Sequence, residues 1–169
     1  MIRARLLVAA LFLSLMTLAG CGYHLVGSEL SGGRGFAAGP VDDLSREPLF
    51  GPYLRAAMAS RIVERGGAGE ITISVLLHRV DERARAFVVG DIPREYLLTA
   101  TADYTLIRGG ETIFKETGVT AEQEFAAGLD INATRSFKEA GLRTLAKTLA
   151  DKILVRATLA MSREERAKR

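Results

Sequence analysis

The chain has 169 residues, of which 48% are hydrophobic and 25% are charged, and its formal net charge is +3 at pH 7. This length and composition suit one globular domain with a core of its own. It contains one cysteine and two histidines. An intramolecular disulfide is therefore excluded, and a metal site built from cysteine and histidine is not expected.

The first predicted element is a secretory signal that ends at the cysteine. Two arginines precede an apolar stretch from Leu6 to Leu18, and Cys21 follows Leu-Ala-Gly. A basic start, a short apolar run and small residues before a cleavage point are typical of such signals. The run Leu-Ala-Gly-Cys resembles the bacterial lipoprotein signal, which implies that residues 1–20 are removed and that Cys21 carries diacylglycerol and an N-acyl chain. The alternatives are an ordinary secreted chain with a stray thiol and an uncleaved anchor helix.

Removal of the signal changes the charge balance. The signal holds two arginines and no acidic residue, so the 23 basic residues of the chain become 21, against 20 acidic ones. A nearly neutral chain is not expected to bind nucleic acids in general. No later apolar run is long enough to span a bilayer, so the sequence predicts attachment to the membrane through the lipid on Cys21 alone.

The next predicted elements are an irregular linker and a helix. Residues 21–47 are rich in glycine and are predicted to be a lipidated linker, with a short strand left open at about 36–41. A helix is predicted over Leu49–Arg65, because apolar residues recur there at a spacing of four, and the Gly66-Gly67 pair is expected to end it. Pro52 is compatible with this helix only in its first turn.

Three strands are predicted to follow. Ile71 to His78 alternate between one buried and one mixed face, and a long strand opens at Glu95-Tyr96 and runs to Leu106. The Gly109-Gly110 pair predicts a tight hairpin, after which a third strand returns over about 112–125. Short links between successive strands predict an antiparallel meander. His78 is expected to be a hydrogen-bonded partner in the sheet and not a catalytic base.

The link between the first two strands has two readings. Residues 81–94 combine arginines, among them Arg85 and Arg94, with apolar residues. One reading is a long basic and apolar hairpin tip, which is a suitable place for binding. In the other reading both strands extend further, and the arginines are exposed to solvent at the edge of the sheet without a binding role.

The last predicted element is an amphipathic helix over about Ala133–Met161, with Asn132 or Thr134 as its N-cap. The tail 162–169 is expected to fray. Two helices on one face of a three- to four-stranded, mainly antiparallel sheet make an α+β two-layer sandwich, predicted to occupy residues 48–161. We found no catalytic constellation, so the chain is not expected to be an enzyme and needs no cofactor.

The sequence around the cysteine also resembles a particular family. Cys21-Gly22-Tyr23-His24-Leu25, Arg46-Glu47-Pro48 before the first helix, Glu95-Tyr96 and the amphipathic last helix are similar to features of the LptE family of outer-membrane lipoproteins. The resemblance covers essentially the whole chain after the signal. This chain differs from the family pattern in two ways. Its strand pattern ahead of the first helix is weak, and Val89 is the residue nearest the position where some relatives carry a basic residue.

Membership of this family implies a role and a set of partners. It implies an α/β sandwich inside the β-barrel of LptD in the outer membrane, where it acts as plug, assembly partner and recognition element for lipopolysaccharide, without enzymatic activity. Gly22 after the cysteine is consistent with sorting to the outer membrane. Arg85 and Arg94 are candidate lipopolysaccharide contacts by location only, since arginine suits phosphates and carboxylates.

Two other functional classes remain open on the sequence. The chain could be a different periplasm-facing lipoprotein that binds a protein partner in an envelope assembly or secretion complex. A lipid-tethered enzyme would need a concave pocket with converging titratable groups, which the sequence does not show.

Overall fold

The computed structural model describes residues 35–67, 69–90 and 92–167. The predicted signal and Cys21 lie outside these residues. In chain order the elements are β1 (Phe36–Asp43), α1 (Phe50–Glu64), β2 (Ile71–Val88), β3 (Ile92–Arg108), β4 (Glu111–Ala126) and α2 (Ile131–Ala167).

The four strands form one mixed sheet in the order β1-β2-β3-β4. The pairs β2–β3 and β3–β4 are antiparallel, which confirms the predicted meander, and the turn between β3 and β4 uses the positive φ angles of Gly109 and Gly110. β1 pairs in parallel with β2 after the crossover through α1. The fold class is therefore α+β, and the sheet is mostly antiparallel with one parallel pair.

The short strand left open at 36–41 is present and extends to Asp43. Its pairing with β2 makes it part of the sheet, which therefore begins ahead of the predicted boundary at residue 48. The sequence Phe-Ala-Ala-Gly-Pro-Val-Asp-Asp is a weak strand pattern, and a register irregularity between Ala38 and Val41 surrounds Gly39 and Pro40. β1 is a short edge strand, a position in which a proline is tolerated.

The core lies between the helices and one face of the sheet. Alternate residues of the strands are buried there, as the sequence pattern predicted. The buried positions include alanines at 100, 102 and 121, and α2 carries Gly141, where a Cβ atom would lie 3.3 Å from Cδ1 of Leu98. Small side chains on both layers therefore let α2 pack close to the sheet.

Helix α1 agrees with its prediction to within one residue at each end. Pro52 is its third residue, within the first turn. After the helix, Gly66 and Gly67 adopt φ angles of 103° and 52°, and the amide of Gly67 donates to the carbonyl of Ile62 at 3.0 Å. This left-handed glycine ending satisfies carbonyls that the helix leaves free.

Helix α2 differs from its prediction at both ends. The carboxylate Oδ1 of Asp130 accepts hydrogen bonds from the amides of Asn132 and Ala133, each at 2.8 Å, so Asp130 is the cap and the predicted caps were wrong. The helix continues to Ala167, and the predicted fraying tail is helical to that residue. No glycine or proline interrupts the chain from Leu142 to Ala167, and Arg and Glu are good helix formers.

Polar contacts connect the two layers at their margins. Lys138 of α2 lies 2.9 Å from carboxylate oxygens of both Glu47 and Glu82. Farther along, the buried Tyr104 donates its hydroxyl to Glu116 at 2.8 Å, and Glu116 also pairs with Arg156 of α2. These contacts fix α2 against β2 at one end and against β4 at the other.

Candidate functional site

The segment 81–94 is not a loop. β2 continues to Val88 and β3 begins at Ile92, so the structure agrees with the reading in which both strands extend. Gly90 has a φ angle of 90° within the short turn between them. The hairpin tip therefore stands at the end of two long paired strands, with register irregularities near Ala86.

Apolar side chains are exposed at this tip. Val89 is 99% exposed, and Phe87 and Ile92 are each more than half exposed. Single exposed apolar residues are ordinary on a protein surface, whereas a cluster at a projecting tip is typical of a binding surface.

The two candidate arginines differ in their surroundings. Arg85 is exposed and forms an ion pair with Glu124 on β4. Arg94 and the neighbouring Arg83 are exposed and make no ion pair with any of the described residues. The guanidinium of Arg94 is thus available to an external anion, whereas an anion must compete with Glu124 for Arg85.

Two further apolar residues belong to the same end of the sheet. The amide of Ala127 donates to the carbonyl of Arg94 at 2.7 Å, which holds the start of the β4–α2 loop beside the base of the hairpin. Leu129 in this loop is fully exposed, and Ile131 at the start of α2 is largely exposed. We call residues 83–90 and 92–94, together with Leu129 and Ile131, the hairpin end.

Sequence reasoning missed Leu129 and Ile131 because they are more than thirty positions from the arginines along the chain. The available signal was two apolar residues flanking Asp130, the helix cap, at a point where neither can reach the core. Only the antiparallel pairing of β3 with β4 brings them to the base of the hairpin.

His78 lies on the face of the sheet opposite the helices, away from the hairpin end. Its Nε2 is 3.0 Å from Oδ2 of Asp103, which confirms that it is a partnered residue of the sheet. Burial works to raise the pKa of Asp103, but the hydrogen bond from the Gly118 amide and the contact with His78 outweigh it, so the pKa lies below its usual value. This arrangement stabilises the sheet.

The described part of the chain holds no group of three or more histidine, cysteine, aspartate or glutamate side chains placed to bind a metal ion. None of its helices combines the length and the apolar character needed to cross a membrane.

Solved structures with the same fold come from several bacteria. A protein described as a lipoprotein from Caulobacter crescentus is 15% identical, with 73% of this chain and 91% of that chain covered at a TM-score of 0.54. Rare lipoprotein B from Shewanella oneidensis is 14% identical, with 75% and 99% covered at a TM-score of 0.50. A minor lipoprotein from Acinetobacter baumannii is also 14% identical, with 75% and 92% covered at a TM-score of 0.50.

At these identities the structural matches show the fold alone. No curated protein sequence matches the chain. The family model named LptE and described as lipopolysaccharide-assembly matches residues 36–157, which span all four strands, α1 and most of α2. The chain therefore belongs to the LptE family of lipopolysaccharide-assembly proteins.

Proposed function

We propose that the chain is an outer-membrane lipoprotein that plugs and helps to assemble an LptD-type β-barrel and takes part in the transport and insertion of lipopolysaccharide at the cell surface. Acyl chains on Cys21 hold it to the membrane, and it faces the periplasm and the barrel lumen. Its role is binding and assembly, with no enzymatic step. Family membership supports this proposal, and the hairpin end is the observation that carries it.

The chemistry of the hairpin end suits an anionic amphiphile. Lipopolysaccharide presents phosphates and carboxylates next to acyl chains. The guanidinium of Arg94 is exposed and has no ionic partner among the described residues, and it lies in the same hairpin as the exposed Phe87, Val89 and Ile92. Arginine binds phosphate and carboxylate in a bidentate manner, and exposed apolar side chains can contact acyl chains.

The hairpin end is also far from the point where the chain enters the sheet. β1 begins at Phe36, which pairs with Ile71, and Ile71 pairs with Arg108 at the opposite end of the sheet. β3 has 17 residues, so at about 3.4 Å per residue the two ends are roughly 55 Å apart. The hairpin therefore lies at the end of the sheet opposite to the start of β1.

The width of the domain is compatible with a barrel lumen. Four strands about 4.8 Å apart make a sheet roughly 15–20 Å wide, and one layer of helices adds about 10 Å. Barrels with more than about twenty strands enclose a lumen that a folded domain can plug. A long, narrow two-layer sandwich is a suitable shape for such a plug.

Purification from the outer membrane tests the proposal. The full-length chain is tagged at its C-terminus and isolated from detergent-solubilised outer membranes, with Cys21→Ala as the matched control. We expect an LptD-type barrel to co-purify with the unaltered chain and the control to lose outer-membrane retention. A partner set that contains another envelope complex and lacks the barrel would contradict the proposal and favour a different protein-binding lipoprotein.

A further inference from the structure

Arg135, in the second turn of α2, is a cation whose charge plays no part in the packing of the helix. Its side chain is exposed, and no described residue forms an ion pair or a hydrogen bond with its guanidinium. Glu139, four positions later, is the residue with which a helical arginine could pair. Oε1 of Glu139 instead accepts hydrogen bonds from Tyr53 at 2.8 Å and from Arg143 at 2.6 Å. The charge of Arg135 is therefore available to an external anion.

The face of α2 that carries Arg135 is turned towards the base of the hairpin. Residues three positions apart are neighbours on a helix surface, so Arg135 shares its face with Lys138. Nζ of Lys138 lies 2.9 Å from a carboxylate oxygen of Glu82 on β2. Arg135 is nearly one turn closer to the start of α2, and β2 continues beyond Glu82 to Val88. Arg135 therefore lies beside the strands that form the hairpin.

Two hydrogen bonds bring the start of α2 close to Arg94. The amide of Ala127 donates to the carbonyl of Arg94 at 2.7 Å, and the amide of the next residue, Gly128, donates to Oγ1 of Thr134 at 2.9 Å. Thr134 directly precedes Arg135 in the chain. A Cβ atom on Gly128 would lie only 2.7 Å from the amide nitrogen of Thr134, so glycine is needed for this close approach. Two arginines without an ionic partner in the described structure therefore occupy the same corner of the sandwich.

Apolar side chains lie next to both arginines. Ile131 precedes Arg135 by four positions, which makes the two residues neighbours on the helix surface, and it is largely exposed. Leu129 is fully exposed in the loop before α2, and Ile92, two positions before Arg94, is more than half exposed. A ligand that reached both arginines would also meet these apolar side chains. Its chemistry would have to combine two anionic groups with an apolar part.

We propose that Arg135 is a second anion-binding residue of the hairpin end, and that Arg94 and Arg135 together select an amphiphile that carries two phosphate groups. Each guanidinium can bind one phosphate in a bidentate manner, while the exposed apolar side chains contact the acyl chains. This inference rests on the proposed function, because it specifies how the hairpin end binds lipopolysaccharide. It adds a contact on α2 and a requirement for two phosphates.

Titration of the full-length lipidated chain in detergent with purified lipopolysaccharide tests the role of Arg135. Arg135→Glu should weaken binding by about tenfold, and Arg135→Lys by about threefold, because lysine keeps the charge but loses the bidentate geometry. Lys147→Glu is the matched control, since Lys147 is exposed on α2 about three turns farther from the hairpin and forms no ion pair within the described ranges. It should change binding by less than about twofold. Equal effects of Arg135→Glu and Lys147→Glu would overturn the proposal.

Lipopolysaccharide from which one lipid phosphate has been removed tests the requirement for two phosphates. The unaltered chain should bind it about tenfold more weakly, and either Arg94→Glu or Arg135→Glu, but not both, should then have little further effect. Full effects of both substitutions on this ligand would overturn the proposal, and so would displacement of lipopolysaccharide by an equal concentration of inorganic phosphate. If the unaltered chain bound no lipopolysaccharide at all, the proposed function would be wrong as well. Binding that is unaffected by Arg135→Glu would overturn this inference alone.

Discussion

His78 of β2 and Asp103 of β3 face each other where the sheet is irregular, with Nε2 and Oδ2 3.0 Å apart. The register between β2 and β3 shifts between Leu77 and Arg79. The register between β3 and β4 shifts near Gly118. The second oxygen of Asp103 accepts the Gly118 amide at 2.9 Å. One carboxylate therefore connects irregularities in three adjacent strands.

Asp103→Asn should reduce the pH dependence of stability in acid. The folded state lowers the pKa of Asp103 below 3.8, so its contribution is present above that pH and is lost as the pH falls through the folded pKa. Urea unfolding from pH 7 to pH 2.5 measures this. The gap between the unaltered chain and Asp103→Asn should close toward the acidic end, whereas Asp81→Asn at a more exposed pair serves as the control. A constant gap would show that the charge of Asp103 is not the cause.

Tyr104→Phe should destabilise the fold by about 1–2 kcal/mol, because it removes the hydroxyl that donates to Glu116 and leaves that carboxylate with Arg156 alone. Burial, followed by the bond to Glu116, raises the pKa of Tyr104, so the hydroxyl stays protonated and remains a donor. Tyr53→Phe is the control, since Tyr53 is less buried and donates to Glu139 at the same 2.8 Å. Equal losses in the two variants would argue against a special role for burial at Tyr104.

Asp130→Ala should cost about 1 kcal/mol of unfolding free energy, because two amides at the start of α2 lose their acceptor. Asn132→Ala should change the unfolding free energy by less than about 0.5 kcal/mol, as expected for an exposed residue that is not the cap. Thermal unfolding of both variants measures the difference. A larger loss of unfolding free energy in Asn132→Ala than in Asp130→Ala would show that Asn132 is the cap.

Arg94→Glu should weaken lipopolysaccharide binding by about tenfold, while Arg85→Glu should have a smaller effect because Arg85 is already paired with Glu124. Glu124→Gln should strengthen binding by releasing Arg85. Titration of the full-length chain with purified lipopolysaccharide at two salt concentrations measures these effects, and barrel assembly should be unaffected. If Arg94→Glu bound lipopolysaccharide as well as the unaltered chain, the hairpin end would not be the contact site.

Local patterns in the sequence were enough to predict most of the sheet and the first helix. Apolar residues alternate with other residues from Ile71 to Leu77, and apolar residues recur every four positions after Phe50. Both patterns identify the side chains that face the core. The pairing of β1 could not be predicted with the same ease, because Gly39 and Pro40 weaken its pattern and its partner lies beyond α1 in the chain.

Less of the candidate site than of the fold could be predicted from the sequence. The arginines of 81–94 were visible in the sequence, but whether their segment formed a loop depended on cross-strand pairing that no local pattern specifies. The pairing of Arg85 with Glu124, and the placement of Leu129 beside the hairpin, depend on contacts between distant strands. Long-range contacts therefore decide which of two similar arginines is available for a ligand.

Depletion of the chain in its own cell, followed by measurement of surface lipopolysaccharide, tests the central claim most directly. Surface lipopolysaccharide should fall and permeability to large hydrophobic antibiotics should rise, and re-expression of the unaltered chain should reverse both. If depletion left surface lipopolysaccharide and the permeability barrier unchanged, the proposed role in lipopolysaccharide insertion would be wrong.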